Sequence, residues 1–315
     1  MTRIAIVGSG LIGRAWATVF CSHGFDVALT DAVPAATQSA RAFIGESLGE
    51  LAGLGLVADP DAALARVSIV DSLAGALAGA ALVQENGPET LEAKKALFAE
   101  MDRLAAPETI LASSTSFIVA SAFSEGLPGR ARCLVAHPVN PPHLVPIVEL
   151  APAPWTDPDV VERARDIYAR AGQSPITLKR EMPGFVLNRL QAVLLAEAFR
   201  MVGTGVCSPQ DLDVTIRDGL GLRWSFMGPF ETIELNAPGG IPDYCARYGA
   251  SLERMASDVI LDDPFGKENV ARIMQEWRGA PSAERVAALS KWRDTRLAQL
   301  KAHKRAAALK PDMES

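Results

Sequence analysis

Up to Leu178 the chain alternates short apolar runs with longer amphipathic ones. Ile4–Val7, Phe25–Thr30, Ser68–Val70, Ala81–Gln84, Ile110–Ser113, Cys133–Ala136, Val145–Leu150 and Ser174–Leu178 are brief and apolar, which predicts strands. Between them, Arg14–His23, Pro34–Gly55, Asp59–Arg66, Leu91–Leu104 and Thr156–Gly172 have helical composition or spacing. Such alternation predicts a mostly parallel sheet with helices on both faces. The pattern changes after Pro183-Gly184. Phe185–Val202 is apolar around most of its circumference, which predicts a central buried helix, and from Ser208 onward only helices and turns are expected. The expected boundary lies near Met182, with an α/β domain over 1–182 and an all-α domain over 183–315. The last stretch, Lys291–Lys310, predicts a charged helix with Trp292, Leu297 and Leu300 as its apolar stripe and its lysines in solvent.

The first strand runs directly into Gly8-Ser-Gly10-Leu-Ile-Gly13, and a helix follows. This is the GxGxxG fingerprint in its required strand–turn–helix setting. Gly8 permits the tight turn, Gly10 lets a pyrophosphate approach the backbone, and Gly13 lets helix and strand pack closely. Leu11, Ile12 and Gly13 open the helix, where free N–H groups face an anion. Asp31 ends the second strand, 18 residues beyond Gly13, where a carboxylate bonds the adenosine ribose and repels a 2′-phosphate. Ala32, Val33 and Pro34 follow, with no arginine to welcome that phosphate, so NAD is expected rather than NADP. The α/β domain is therefore expected to be a Rossmann-type doubly wound fold.

Ligands of such sheets bind beyond the carboxyl ends of the strands. Asp31, Glu85, Ser113–Ser116 and His137 sit at such ends. His137 ends one short strand, Glu149 lies in the next, and Pro138, Pro141 and Pro142 stiffen the loop between them. Imidazole is the side chain best suited to moving a proton near neutral pH, and a carboxylate on its far nitrogen would fix its tautomer. The alternative is a strand-capping histidine and a solvent-facing acid.

Composition narrows the possibilities further. A chain of 315 residues, 49% hydrophobic and 22% charged, has the composition of an ordinary soluble protein with a sizeable core. A net charge of −6 without clustered cations argues against a nucleic-acid surface. Met1 leads straight into a strand, so no signal peptide is expected, and the polar residues within Phe185–Val202 argue against a membrane span. Cys21, Cys133, Cys207 and Cys245 lack CxxC spacing and read as reduced core thiols of a cytoplasmic protein, with no metal site.

The assembled motifs resemble the 3-hydroxyacyl-CoA dehydrogenase superfamily over essentially the whole chain, and within it the λ-crystallin / L-gulonate 3-dehydrogenase branch. The carrying residues are the glycine fingerprint, Ser113-Ser-Thr-Ser116, His137-Pro-Val-Asn140-Pro-Pro, Val148-Glu149-Leu and Pro183-Gly-Phe-Val-Leu-Asn188-Arg-Leu. Gly221-Leu-Arg223-Trp-Ser-Phe-Met-Gly-Pro229 and Trp292-Arg-Asp294 are similar to that branch in particular. The resemblance implies that His137 is the general base, that Glu149 orients it, and that Ser116 and Asn188 hydrogen-bond the reacting oxygen. It also implies that Asn140 contacts the substrate and that Glu89 and Lys94 lie near the nicotinamide. The residues alone leave other roles open: a helix N-cap for Ser116, a buried anchor for Asn188, and a helix-start acid with an exposed lysine for Glu89 and Lys94. His143 has no implied role and is expected on the loop surface.

Two departures bear on the substrate. Ser114 and Phe117 stand where the acyl-CoA enzymes usually carry Asn and Ser, so a different entrance is expected. Residues 41–66 contain only Arg41 and Arg66 against Glu46, Glu50, Asp59 and Asp61, a poor match to the phosphates of coenzyme A. A free 3-hydroxy acid, L-gulonate or a close sugar acid, is therefore expected. 3-Hydroxyacyl-CoA and L-carnitine are the alternatives, and a non-enzymatic role for the dinucleotide-binding fold the remaining one. Arg223 is the candidate clamp for the carboxylate, since a guanidinium can hold one bidentately; a structural ion pair with Asp218 is the alternative. The resemblance and the apolar helix also imply a homodimer built from the helical domain.

Overall fold

The computed structural model describes residues 2–257, 263–277 and 282–308. Its strands are β1 (Arg3–Val7), β2 (Asp26–Thr30), β3 (Val67–Ile69), β4 (Ala80–Glu85), β5 (Ile110–Ser113), β6 (Cys133–Pro138), β7 (Ile147–Pro152) and β8 (Ser174–Thr177). The helices that accompany them are α1 (Leu11–Ser22), α2 (Pro34–Gly53), α3 (Pro60–Ala65), α4 (Leu73–Leu77), α5 (Leu91–Leu104), α6 (Ala120–Ser124) and α7 (Pro158–Arg170). The helices that follow are α8 (Leu187–Gly203), α9 (Pro209–Val214), α10 (Gly221–Trp224), α11 (Pro229–Glu234), α12 (Gly240–Ser257), α13 (Lys267–Glu276) and α14 (Ala283–Ala308).

One eight-stranded sheet has the order β3-β2-β1-β4-β5-β6-β7-β8. All neighbours are parallel except β6 and β7, which a loop too short for a crossover joins as an antiparallel pair. The period of two along each strand supplies both faces of the sheet. Ile4 and Ile6 pack with Trp16, Phe20, Ile44 and Tyr168, whereas Ala5 and Val7 pack on the other side with Leu77, Phe98, Met101 and Phe123. β1 lies between β2 and β4, so the chain winds away from it in both directions and opens a crevice at its carboxyl end.

Two compact units result. One runs to Asn188 and takes up the chain again from Ala287, and the other spans Arg189–Val286. The division therefore falls after the expected boundary at Met182. It also returns the last helix, expected with the helical domain, to the sheet unit. The cause is local packing: Ala298 and Leu297 join the core of α1 and α2, Lys301 Nζ donates to the carbonyl of His143 at 2.9 Å, and Arg305 donates to Leu56 O at 3.2 Å. The expected stripe is correspondingly shifted, with Trp292 and Leu300 exposed and Lys301 partly covered.

The helical unit corrects a second expectation. α8 is not buried: Leu190 and Val193 are 66% and 65% exposed, and only Ala198, Val202 and Gly203 are enclosed. All-round apolarity shows that a helix prefers to be covered, and among the described residues most of its large apolar side chains remain exposed. Cys21 and Cys133 are buried as expected, and burial pushes both thiols up to about 12. Cys245 is exposed on α12, contrary to the expectation of a core thiol. No helix among the described residues is long and apolar enough to cross a membrane.

Candidate active site

The β1–α1 turn is shaped by backbone contacts that only glycine satisfies. Gly8 has φ +90°, and a Cβ there would lie 2.8 Å from Asn86 O; one on Gly13 would lie 1.8 Å from Gly8 O. Gly10 differs, because a Cβ there would meet no atom within 4 Å. Gly10 and Leu11 are exposed at the start of α1, with Ile12 half-buried and Gly13 buried behind them. The turn thus has room at the helix N-terminus where a pyrophosphate approaches such turns. Asp31, at the end of β2, completes the cradle. Its Oδ2 accepts from the Ser9 N–H at 2.6 Å and the Ser9 hydroxyl at 2.8 Å, and Oδ1 accepts from Val33 N–H at 2.9 Å. Burial opposes ionisation, but these three donors outweigh it and hold the carboxyl below its usual range. A carboxylate offers about four acceptor positions, so one remains for a ribose hydroxyl. The set fits a dinucleotide.

Beside this cradle the ends of β4 and β5 carry a buried polar floor. Lys94, from α5, is 1% exposed and donates to both Glu85 oxygens at 2.9 Å and to Gly87 O at 3.2 Å. Glu85 is fully buried and also accepts from Ser113 Oγ at 2.6 Å and Gly87 N–H at 2.5 Å. Lys94 is therefore not an exposed lysine; its ammonium is engaged by Glu85. An isolated buried ion would be prohibitive, and the additional bonds are what make this pair tolerable. Ser114, half-buried, is engaged within the protein. Its hydroxyl donates to Asn86 Oδ1 at 2.7 Å and accepts from Trp16 Nε1 at 3.1 Å and Gln84 Nε2 at 2.7 Å. Phe117 is 64% exposed.

The antiparallel β6–β7 pair sets His137 directly opposite Glu149. His137 Nδ1 lies 2.8 Å from Glu149 Oε2, with His137 4% exposed and Glu149 fully buried. The other oxygen, Oε1, accepts the N–H groups of Val186 at 2.9 Å and Leu187 at 3.0 Å, so the start of α8 holds the carboxylate in place. The Glu149 carboxylate is placed to accept the Nδ1 hydrogen, an arrangement that turns Nε2 into the open ring nitrogen. No hydrogen bond engages Nε2 among the described residues. Phe185 tilts its ring 5.2 Å from the imidazole. Its φ of +51° is unusual for a bulky residue and is held by its N–H on Met182 O at 3.0 Å.

Ser116 and Asn188 come together as expected, through a contact not foreseen: Asn188 Nδ2 donates to the Ser116 carbonyl at 3.0 Å. Both are half-buried, and Ser116 caps no helix, since α6 begins after Val119. Asn140 is exposed on the loop after β6. His143, expected at the surface, is 7% exposed; its ring packs edge-on against Phe43, and burial beside Lys301 pushes its pKa down to about 4. Arg223 lies on α10 in the helical unit and is exposed; Asp218, its candidate partner, is instead paired with Arg217 at 2.7 Å. Glu85 and Phe185 are the residues that sequence reasoning left without a role. A charged last residue on an apolar strand signals the first, whereas nothing in a phenylalanine announces the second.

A dinucleotide cradle beside an oriented histidine defines a nicotinamide-dependent dehydrogenase, and comparison with known proteins carries the assignment further. Residues 3–182 match the 3-hydroxyacyl-CoA dehydrogenase NAD-binding domain, and residues 184–276 match the C-terminal domain of the same family. A λ-crystallin homolog of Bos taurus is 44% identical over 306 residues, covering 95% of each chain. An L-carnitine dehydrogenase of a Pseudomonas species is 36% identical over 301 residues, covering 95% of this chain and 92% of its own. Among solved structures, 5-formyl-3-hydroxy-2-methylpyridine 4-carboxylic acid 5-dehydrogenase, an NAD+-dependent dismutase, superposes with a TM-score of 0.83 at 28% identity, covering 96% of this chain and 98% of that one. The chain belongs to the 3-hydroxyacyl-CoA dehydrogenase family and is an NAD-dependent oxidoreductase acting on CH–OH groups.

Proposed function

We propose that this enzyme oxidises a free 3-hydroxy acid to the 3-oxo acid, with L-gulonate or a close sugar acid as substrate. The observation that carries the chemistry is the buried His137–Glu149 pair with Nε2 left open. NAD, held by Gly8, Gly10, Leu11, Ile12, Gly13 and Asp31, supplies the hydride acceptor when bound. His137 Nε2 takes the hydroxyl proton as the carbinol C–H bond gives up its hydride. Glu149 keeps the ring oriented and balances the charge that develops on it. The Ser116 hydroxyl and the Asn188 amide donate to the oxygen as it gains carbonyl character. Asn188 is already oriented by Ser116 O, which leaves its second N–H for that purpose. Asn140 is the proposed contact to the remainder of the substrate. Lys94 acts through Glu85, as part of the floor.

The choice of a free acid over an acyl-CoA rests on charge. Of the two cations in residues 41–66, Arg41 donates to Val67 O and Arg66 pairs with Asp26 at 3.2 Å, so both are engaged within the protein. Arg223 is the proposed clamp for the carboxylate, on the chemistry of its guanidinium and on the absence of an ion pair to it among the described residues. The exposed apolar residues of α8 support a homodimer formed through the helical unit, and unpaired cysteines support a cytoplasmic setting. The test is NADH formation from L-gulonate, L-carnitine, 3-hydroxybutyrate and 3-hydroxybutyryl-CoA side by side. The highest kcat/KM is expected for L-gulonate; a clear preference for the thioester would overturn the reading.

A further inference from the structure

The carboxylate of Glu89 is exposed at the carboxyl edge of the sheet, yet one of its oxygens is saturated from a single loop. Oε1 accepts from the Thr115 hydroxyl at 2.5 Å, the Ser116 N–H at 2.9 Å and the Phe117 N–H at 3.3 Å. Three donors converging on one oxygen fix the direction of two successive peptide planes. Thr115 is clamped from both sides, since its hydroxyl accepts Ile118 N–H at 3.0 Å and its own N–H reaches Ser113 Oγ at 3.2 Å. Ser113 Oγ in turn donates to Glu85 at 2.6 Å. Glu89 Oε2 stands 3.8 Å from the Lys94 ammonium, which the same Glu85 holds. On the far side, the Ser116 carbonyl receives Asn188 Nδ2 at 3.0 Å. The backbone of Ser116 is thus pinned at its N–H by Glu89 and at its C=O by Asn188, and its hydroxyl is the group left without a hydrogen-bond partner among the described residues.

We propose that Glu89 is a positioning residue whose carboxylate, beside the Lys94 ammonium, sets the Ser116 peptide so that Ser116 and Asn188 aim together at the reacting oxygen. This rests on the functional reading above, in which those two residues bind that oxygen, and it gives Glu89 a different task from contacting the nicotinamide. A carboxylate serving the cofactor would affect dinucleotide affinity. One serving Ser116 affects turnover, because fixed donors assist only when they point at the developing charge.

The experiment is a set of variants of the full-length enzyme, Glu89→Ala, Glu89→Gln, Thr115→Val and the double variant Glu89→Ala/Thr115→Val. Each is measured for kcat and KM with the best acid, for NAD affinity by fluorescence titration without substrate, and for amide hydrogen exchange at Ser116 and Phe117. Glu89→Ala is expected to lower kcat by about 10- to 100-fold, the cost of misplacing a catalytic contact, with NAD affinity within about threefold of wild type. Glu89→Gln keeps an oxygen acceptor and is expected to recover most of kcat. The Ala and Val changes are expected to be non-additive, because they break one network. A loss of NAD affinity of tenfold or more with kcat preserved would overturn the proposal in favour of a cofactor contact. Should the wild-type protein turn over no hydroxy acid, the functional reading fails. Hydrogen exchange then decides the positioning claim alone: faster exchange at Ser116 and Phe117 in Glu89→Ala supports it, and unchanged exchange refutes it.

Discussion

Among the described residues His137 has one ring nitrogen engaged and the other without a hydrogen-bond partner, and a proton acceptor needs that asymmetry. Glu149 supplies it from the facing position of the neighbouring strand, so the pair is set by sheet register and not by loop conformation. Replacing Glu149 by Gln keeps the shape but lets the amide donate to the ring, which favours the wrong tautomer. It is expected to lower kcat with little change in NAD affinity, checked by steady-state kinetics beside cofactor titration. Asp31 is proposed to bear on the cofactor alone. Asp31→Arg removes an acceptor worth about 1.5–3 kcal/mol and supplies a partner for a 2′-phosphate, so the NAD:NADP ratio of kcat/KM is expected to fall by roughly 10- to 100-fold or more. An unchanged ratio would take Asp31 out of the site. At this scale much could be read from the sequence, because His137, Asp31 and the three glycines each have one chemically motivated task at a fixed spacing. Lys94 could not, since its burial depends on Glu85, from a different element, reaching the same point.

The β6–β7 loop and α14 form the least expected pairing of elements. The short apolar run and the prolines predicted the loop. Nothing in the charged composition of the last helix showed that it would fold back onto the sheet unit. Its lysines suggested solvent, and the small Ala298, with Leu297 beside it, does the packing. The consequence is titratable. His143 faces Lys301 and Asp294 from α14, Arg14 from α1 and the Phe43 ring from α2, and it is held neutral by burial with a pKa of about 4. An unfolded histidine titrates near pH 6.5, so the unfolded chain binds more protons between those values. Stability from this group is therefore complete above about pH 6.5 and declines as pH falls toward 4, by up to about 3 kcal/mol. Urea unfolding across this range is expected to show that slope in the wild type and a shallower one in His143→Leu. Equal slopes would mean that His143 is not held neutral by its packing. α8 was misread for a related reason: apolar periodicity reports that a helix is to be covered, not by which chain.

At the scale of the whole molecule, the sheet unit gathers the cofactor cradle, the buried floor and the His137–Glu149 pair along the carboxyl ends of its strands, as the strand order requires. The helical unit presents Leu190, Val193, Phe226, Phe230 and Leu235 in exposed positions, and large apolar side chains held in water favour an association that covers them. A homodimer is expected by sedimentation equilibrium, with Val193→Glu shifting it toward monomer; a concentration-independent monomer mass in the wild type would refute this. Independently of the assembly, His137 is proposed as the base that removes the hydroxyl proton, with no part in holding NAD. A single-turnover experiment tests it most directly. Enzyme saturated with NAD is mixed with excess L-gulonate, or with whichever acid the substrate panel selects, and NADH is followed in the first turnover for wild type and His137→Ala. For His137→Ala, NAD affinity within about threefold of wild type and a first-turnover rate lower by on the order of 100- to 10,000-fold are expected. A His137→Ala enzyme that forms NADH at the wild-type rate would contradict that role.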